Sequence, residues 1–163
     1  MRTYALLVAI VLLAGMLALT AVACEEEGPS ATEVEGVTPR PGVVDVTITE
    51  WIVAPFPGSV KAGTVTLNAF NIGGEEHELA IIKTDLAPDA LPSKEDGSVD
   101  EADAAIELIQ RIPKFPPGPE IGSATVDLGP GKYVLICNVV VERNGQVVSH
   151  YRQGMRAAFE VTE

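Results

Sequence analysis

Gly129-Pro-Gly-Lys-Tyr-Val-Leu-Ile-Cys137 is the stretch on which the fold turns. A Gly-Pro-Gly turn opens it, an apolar β-type run follows, and Cys137 ends it as the one cysteine beyond residue 24. Taken alone, Cys137 reads as a small buried hydrophobe, as free cysteine often is. Working outward, Val139 to Glu142 and Gln146 to Ser149 flank Arg143-Asn144-Gly145. An Asn-Gly pair is a favoured tight turn, so a hairpin is predicted there. His150 follows it, and Met155 stands five residues later.

The rest of the chain from Val43 onward alternates short β-type runs with Gly and Pro punctuation. Val44, Val46 and Ile48 recur at period two, as do Val65, Leu67 and Ala69 after the turn at 61–63. Further runs are Glu78 to Lys83, Ser123 to Leu128, Lys132 to Val141, Gln146 to Tyr151 and Ala157 to Thr162. Many short strands with frequent turns predict an all-β sandwich. Within an insertion from about Thr84 to Pro119, Ser98-Val-Asp-Glu101 followed by Ala102, Ala105, Ile106 and Ile109 has a capping-box start and an apolar stripe at helical spacing. One short helix is predicted there. Asp85, Asp89, Asp96, Asp100 and Asp103 invite a calcium reading, but their spacing does not make an EF-hand loop, and a solvated acidic loop is expected.

Beyond the first two dozen residues the soft side chains number one internal Cys, two His and one Met: Cys137, His77, His150 and Met155. That census excludes zinc fingers, four-cysteine iron–sulfur sites, CxxCH haem attachment and a disulfide framework. A thiolate, two imidazoles and a thioether suit copper cycling between two oxidation states, with the weak thioether axial. The bland alternatives are an exposed His77 between Glu76 and Glu78 and a Met155 that only fills space. No Gly-x-Ser-x-Gly elbow is present, and two His cannot equip a multicopper oxidase, so no enzyme is expected.

At these residues the chain resembles the cupredoxin, or blue-copper, family. Asn71-Ile-Gly-Gly-Glu-Glu-His77-Glu-Leu is similar to the family's first-ligand segment, Gly129 to Cys137 to its second, and Ser149-His150-Tyr-Arg-Gln-Gly-Met155 supplies the His-x4-Met ending. The resemblance covers about Val43 to Thr162. It implies a Greek-key β-sandwich and one copper ion held by His77, Cys137 and His150 with Met155 axial. It also implies single-electron transfer, with the imidazole edge of His150 as the exit point. The chain departs from the family in the twelve residues between Cys137 and His150 and in the insertion, which is expected to cover or widen one side of the sandwich. The alternatives are a copper-binding or delivery protein and a metal-free interaction module.

The 163-residue chain opens with a short basic segment and an apolar run ending Ala21-Val-Ala-Cys24. This reads as an export leader over residues 1–24, in which Cys24 is the candidate lipid-attachment residue of a lipoprotein; an uncleaved membrane anchor and full secretion are the alternatives. Residues 25–42 are acidic and rich in Gly, Pro, Ser and Thr, the composition of a disordered tether. A domain at 43–163 outside the cytoplasm is thus expected, in the periplasm or on the outer face of the cytoplasmic membrane. Without the leader, 10 basic residues face 23 acidic ones, a formal charge of −13. That sign disfavours nucleic acid and favours a basic partner, such as a cytochrome or a membrane oxidoreductase.

Overall fold

Period-two burial builds the first sheet. The computed structural model describes residues 38–163, so the expected leader with Cys24, and the tether as far as residue 37, lie outside the described residues. In β1 (Val43–Thr49) every second side chain, Val44, Val46 and Ile48, is fully buried. β4 (Gly63–Asn71) runs parallel to it and buries Val65, Leu67 and Ala69 on the same face. β2 (Ile52–Phe56) and β7 (Ile121–Leu128) complete a four-stranded sheet in the order β2-β1-β4-β7.

The second sheet has the order β3-β11-β8-β5-β6, formed by β3 (Ser59–Lys61), β11 (Arg156–Thr162), β8 (Gly131–Ile136), β5 (His77–Lys83) and β6 (Glu107–Phe115). Leu79, Ile81, Tyr133, Leu135 and Phe159 meet the first sheet in the main core. The alternate residues Ala80, Ile82, Val134 and Ile136 face the other way and are equally dry, because Leu91, Val99 and Ile106 of the insertion and Tyr151 pack on them. Burial on both faces accounts for the unbroken apolar runs Leu79 to Ile82 and Tyr133 to Ile136, where a half-solvated strand would alternate. At about 1.5–3 kcal/mol for each large aliphatic side chain removed from water, this second core holds the insertion firmly. The insertion therefore covers the sandwich instead of widening it. The β-sandwich expected from the sequence is the fold observed.

The short helix expected inside the insertion is not found; residues 98–106 form successive turns, and β6 follows. Local hydrogen bonds explain the difference. Ser98 donates its hydroxyl back to Asp96 Oδ1 at 2.6 Å instead of capping a helix, and Glu101, the expected partner in the capping box, pairs with Arg111 and accepts from Asn138. Asp100 and Asp103 accept from the backbone N–H groups of Ala102 and Ala105, two residues on. Such bonds offer the backbone an alternative to the helix. The one helix among the described residues, α1 (His150–Gln153), is a single turn elsewhere, in the loop after the hairpin. β2 and β6, which are not among the expected runs, contain Pro55 and Pro113; both are edge strands, where a missing N–H is tolerated.

Candidate metal centre

The loop before His77 is held from inside. Asn71 ends β4 fully buried; its Nδ2 donates to the carbonyls of Glu75 (2.7 Å) and Phe115 (3.2 Å), and its Oδ1 accepts from the N–H of Gly73 at 3.1 Å. Glu50 grips the same loop through its Oε1, which accepts from the N–H groups of Gly74 and Glu75 at 2.8 and 2.9 Å. A Cβ on Gly73 would lie 2.7 Å from that carboxylate, so a larger residue there would push the Glu50 side chain aside. His77 enters β5 with its side chain wholly buried.

Cys137 follows the last residue of β8. Its N–H donates to the carbonyl of Met155 at 3.0 Å, and the N–H of Met155 donates to the carbonyl of His150 at 3.1 Å. Between Cys137 and His150, β9 (Val140–Arg143) and β10 (Gln146–Ser149) pair across an Asn144-Gly145 turn with φ of +51° and +75°. The hairpin is closed at its base, where the His150 N–H donates to the Val139 carbonyl at 2.9 Å. Ser149 then caps α1, its hydroxyl accepting from the Arg152 N–H and donating to the Gly97 carbonyl at 2.7 Å. The twelve intervening residues thus add no slack to the loop.

Three donor atoms converge. His77 Nδ1 lies 3.2 Å from His150 Nδ1, and Cys137 Sγ lies 3.8 Å from the first and 3.5 Å from the second. In a triangle with sides of 3.2, 3.5 and 3.8 Å, the point equidistant from the corners is about 2.0 Å from each, against about 2.0–2.3 Å for first-row metal bonds to imidazole and thiolate. His77, Cys137 and His150 are the metal-capable cluster among the described residues. Met155 is fully buried in the same apolar cluster as Cys137.

The outer ring nitrogens point to carboxylates. His77 Nε2 is 3.3 Å from Glu50 Oε1 and His150 Nε2 is 3.5 Å from Glu75 Oε2, close but without the alignment of a hydrogen bond. If each ring carries its proton on Nε2, facing the carboxylates, both Nδ1 lone pairs aim at one point beside the sulfur. Without a cation this is repulsive; with one it is the usual arrangement of a metal-bound histidine. Burial lowers the pKa of both imidazoles, that of His150 to about 4 with the neighbouring His77 and Arg143 adding to the effect, while Glu50 partly offsets it at His77. Burial pushes the Cys137 thiol up to about 11, although the N–H groups of Glu78 and Val139 favour the thiolate.

His150 has no exposed surface, so the edge that the family resemblance implies as the exit point is covered. The indole of Trp51 stands edge-on to it with ring centroids 5.4 Å apart, the Arg143 guanidinium lies 5.6 Å from the Trp51 ring, and Arg143 pairs with Glu75. Sequence reasoning passed over Glu50, Trp51 and Glu75. The two glutamates read as ordinary surface charge; only a pairing rule for the outer nitrogens of candidate histidines would have singled them out.

No family model and no curated protein matches the sequence. Solved structures do. An auracyanin from the photosynthetic bacterium Roseiflexus castenholzii, in its Na-dithionite-reduced form, is similar over 77% of this chain and 100% of its own, with 21% identity and a TM-score of 0.50. Auracyanin A, a "blue" copper protein from Chloroflexus aurantiacus, covers 76% and 100% at 21% identity and a TM-score of 0.46. Rusticyanin from Thiobacillus ferrooxidans covers 76% and 79% at 15% and 0.43. The first likeness establishes a shared fold, the cupredoxin-like β-sandwich.

Proposed function

We propose that this chain is a type 1 copper protein that passes single electrons between exported or membrane-bound redox partners. The observation that carries this reading is the convergence of two imidazole Nδ1 atoms and one thiol on a single buried point. Copper bound there would supply a one-electron couple between its +2 and +1 states. His77 and His150 would hold it through Nδ1 and Cys137 through its thiolate, and Met155, buried in the same cluster, is the candidate thioether donor.

The protein supplies rigidity and dryness. His77 is fixed by the Asn71 and Glu50 bonds to its loop, Cys137 and His150 by the backbone bonds around Met155, and all four candidate ligands are fully buried. A site fixed in this way rearranges little when its charge changes. The same burial argues against a delivery protein, which must open to release its metal. The partner class is a redox protein such as a cytochrome or a membrane oxidoreductase, reached outside the cytoplasm.

The test is a titration of the metal-free protein with copper(II). One equivalent should produce an intense visible thiolate charge-transfer band that Cys137→Ser abolishes. Weak, broad absorption with uptake unchanged in Cys137→Ser would overturn the reading.

A further inference from the structure

Each of two ligands is followed by a polar residue, and the two meet through charge. Glu78, next to His77, pairs with Arg111 of β6; Arg111 also pairs with Glu101 of the insertion. Glu101 Oε1 accepts from Nδ2 of Asn138, the residue after Cys137, at 2.7 Å. Asn138 in turn clasps the insertion backbone, accepting from the Val99 N–H at 2.6 Å and donating to the Val99 carbonyl at 3.1 Å. The three charged side chains are only 12–28% exposed, so water screens them incompletely.

We infer that Glu78, Arg111, Glu101 and Asn138 form a charged clamp that positions Cys137 against His77 and biases the oxidation state of the bound metal. This rests on the copper reading above. The clamp carries two carboxylates and one guanidinium, a net charge of −1. Its geometry fixes the residues that directly follow both ligands: Asn138, after Cys137, is clasped to Val99 and Glu101, and Glu78, after His77, is paired with Arg111. An anionic environment favours the more positive, oxidised state of a site. Removing the guanidinium therefore favours copper(II), and removing a carboxylate favours copper(I). The insertion becomes part of the metal centre through Val99 and Glu101.

The test compares Arg111→Gln, Arg111→Lys and Glu101→Gln. In the copper-loaded protein the ratio of copper(II) to copper(I) affinity, each measured by chelator competition, should rise in Arg111→Gln, fall in Glu101→Gln and stay near native in Arg111→Lys. Changes on the order of tenfold are expected for a unit charge at such short range. Simple loosening would move both neutralised variants in one direction, and that result, or no change, overturns the inference. If Arg111→Gln does not fold, a fall in Glu101→Gln with Arg111→Lys unchanged supports the inference, and any other result overturns it. A second readout needs no metal: amide exchange at Val99 should quicken in metal-free Arg111→Gln and recover in Arg111→Lys, and unchanged exchange overturns the clamp. Loss of the charge-transfer band in the native chain would sink the copper reading alone, leaving Val99 exchange to decide the clamp.

Discussion

Metal uptake at neutral pH should release one proton per ion. Cys137, with a pKa pushed up to about 11, is almost entirely a thiol at pH 7, whereas His150, at about 4, and His77, also lowered by burial, already hold free lone pairs. The proton must come from sulfur, because only the thiolate binds metal. Ionising a thiol with a pKa of about 11 at pH 7 costs about 5 kcal/mol, at 1.36 kcal/mol per unit, so apparent affinity should rise about tenfold per pH unit above neutrality. Below about pH 4 the slope steepens, since His150 must then lose a proton too. Zinc(II) serves as a redox-inert probe, and calorimetry in two buffers of different ionisation enthalpy counts the protons. A count near zero would mean a preformed thiolate and a count near two a charged imidazole; either refutes the reasoning.

Further outcomes follow from the same structure. Metal-free protein should lose stability as pH falls from about 6.5 to about 4: the unfolded state takes up the proton that buried His150 refuses, a loss approaching about 3 kcal/mol. Urea unfolding across that range checks it, and a flat profile contradicts it. Gly97→Ala should destabilise by about 1–3 kcal/mol, because φ is +83° and a Cβ would stand 2.7 Å from Arg152 Cδ and 3.0 Å from Ser149 Cβ; denaturant melts measure it. Ile82→Ala empties part of the second core and should cost about 2–5 kcal/mol. Trp51→Ala should speed oxidation of the copper(I) protein by a small inorganic complex in stopped flow, and an unchanged rate would show that His150 is shielded elsewhere.

The sequence revealed what periodicity and scarcity can reveal. Val44-x-Val46-x-Ile48 alternates because one face of its sheet is buried, and the chemistry of Cys137, His77, His150 and Met155 was legible because few other soft side chains exist. The helix at Ser98 was misread because a capping-box pattern does not record that Asp96 and Arg111 compete for its Ser and Glu. Glu50, Glu75 and Glu78 were invisible for a related reason. Each acts through a partner far along the chain, and no local spacing distinguishes a carboxylate beside a buried imidazole from one in water.

The closed base of the β9–β10 hairpin separates two quantities that motif reading treats as one, the count of residues between ligands and the path the backbone must bridge. With Val139 and His150 joined by a hydrogen bond, residues 140–149 form a side branch, and the chain passes from Cys137 to His150 as though they were absent. Patterns keyed to a short gap between the cysteine and the second histidine will therefore pass over chains built in this way. Arg143 and Ser149 still tie the branch to Glu75 and Gly97, but its outer tip at Asn144 and Gly145 is exposed, which makes it a natural place to attach a label or a new recognition loop without disturbing the ligands.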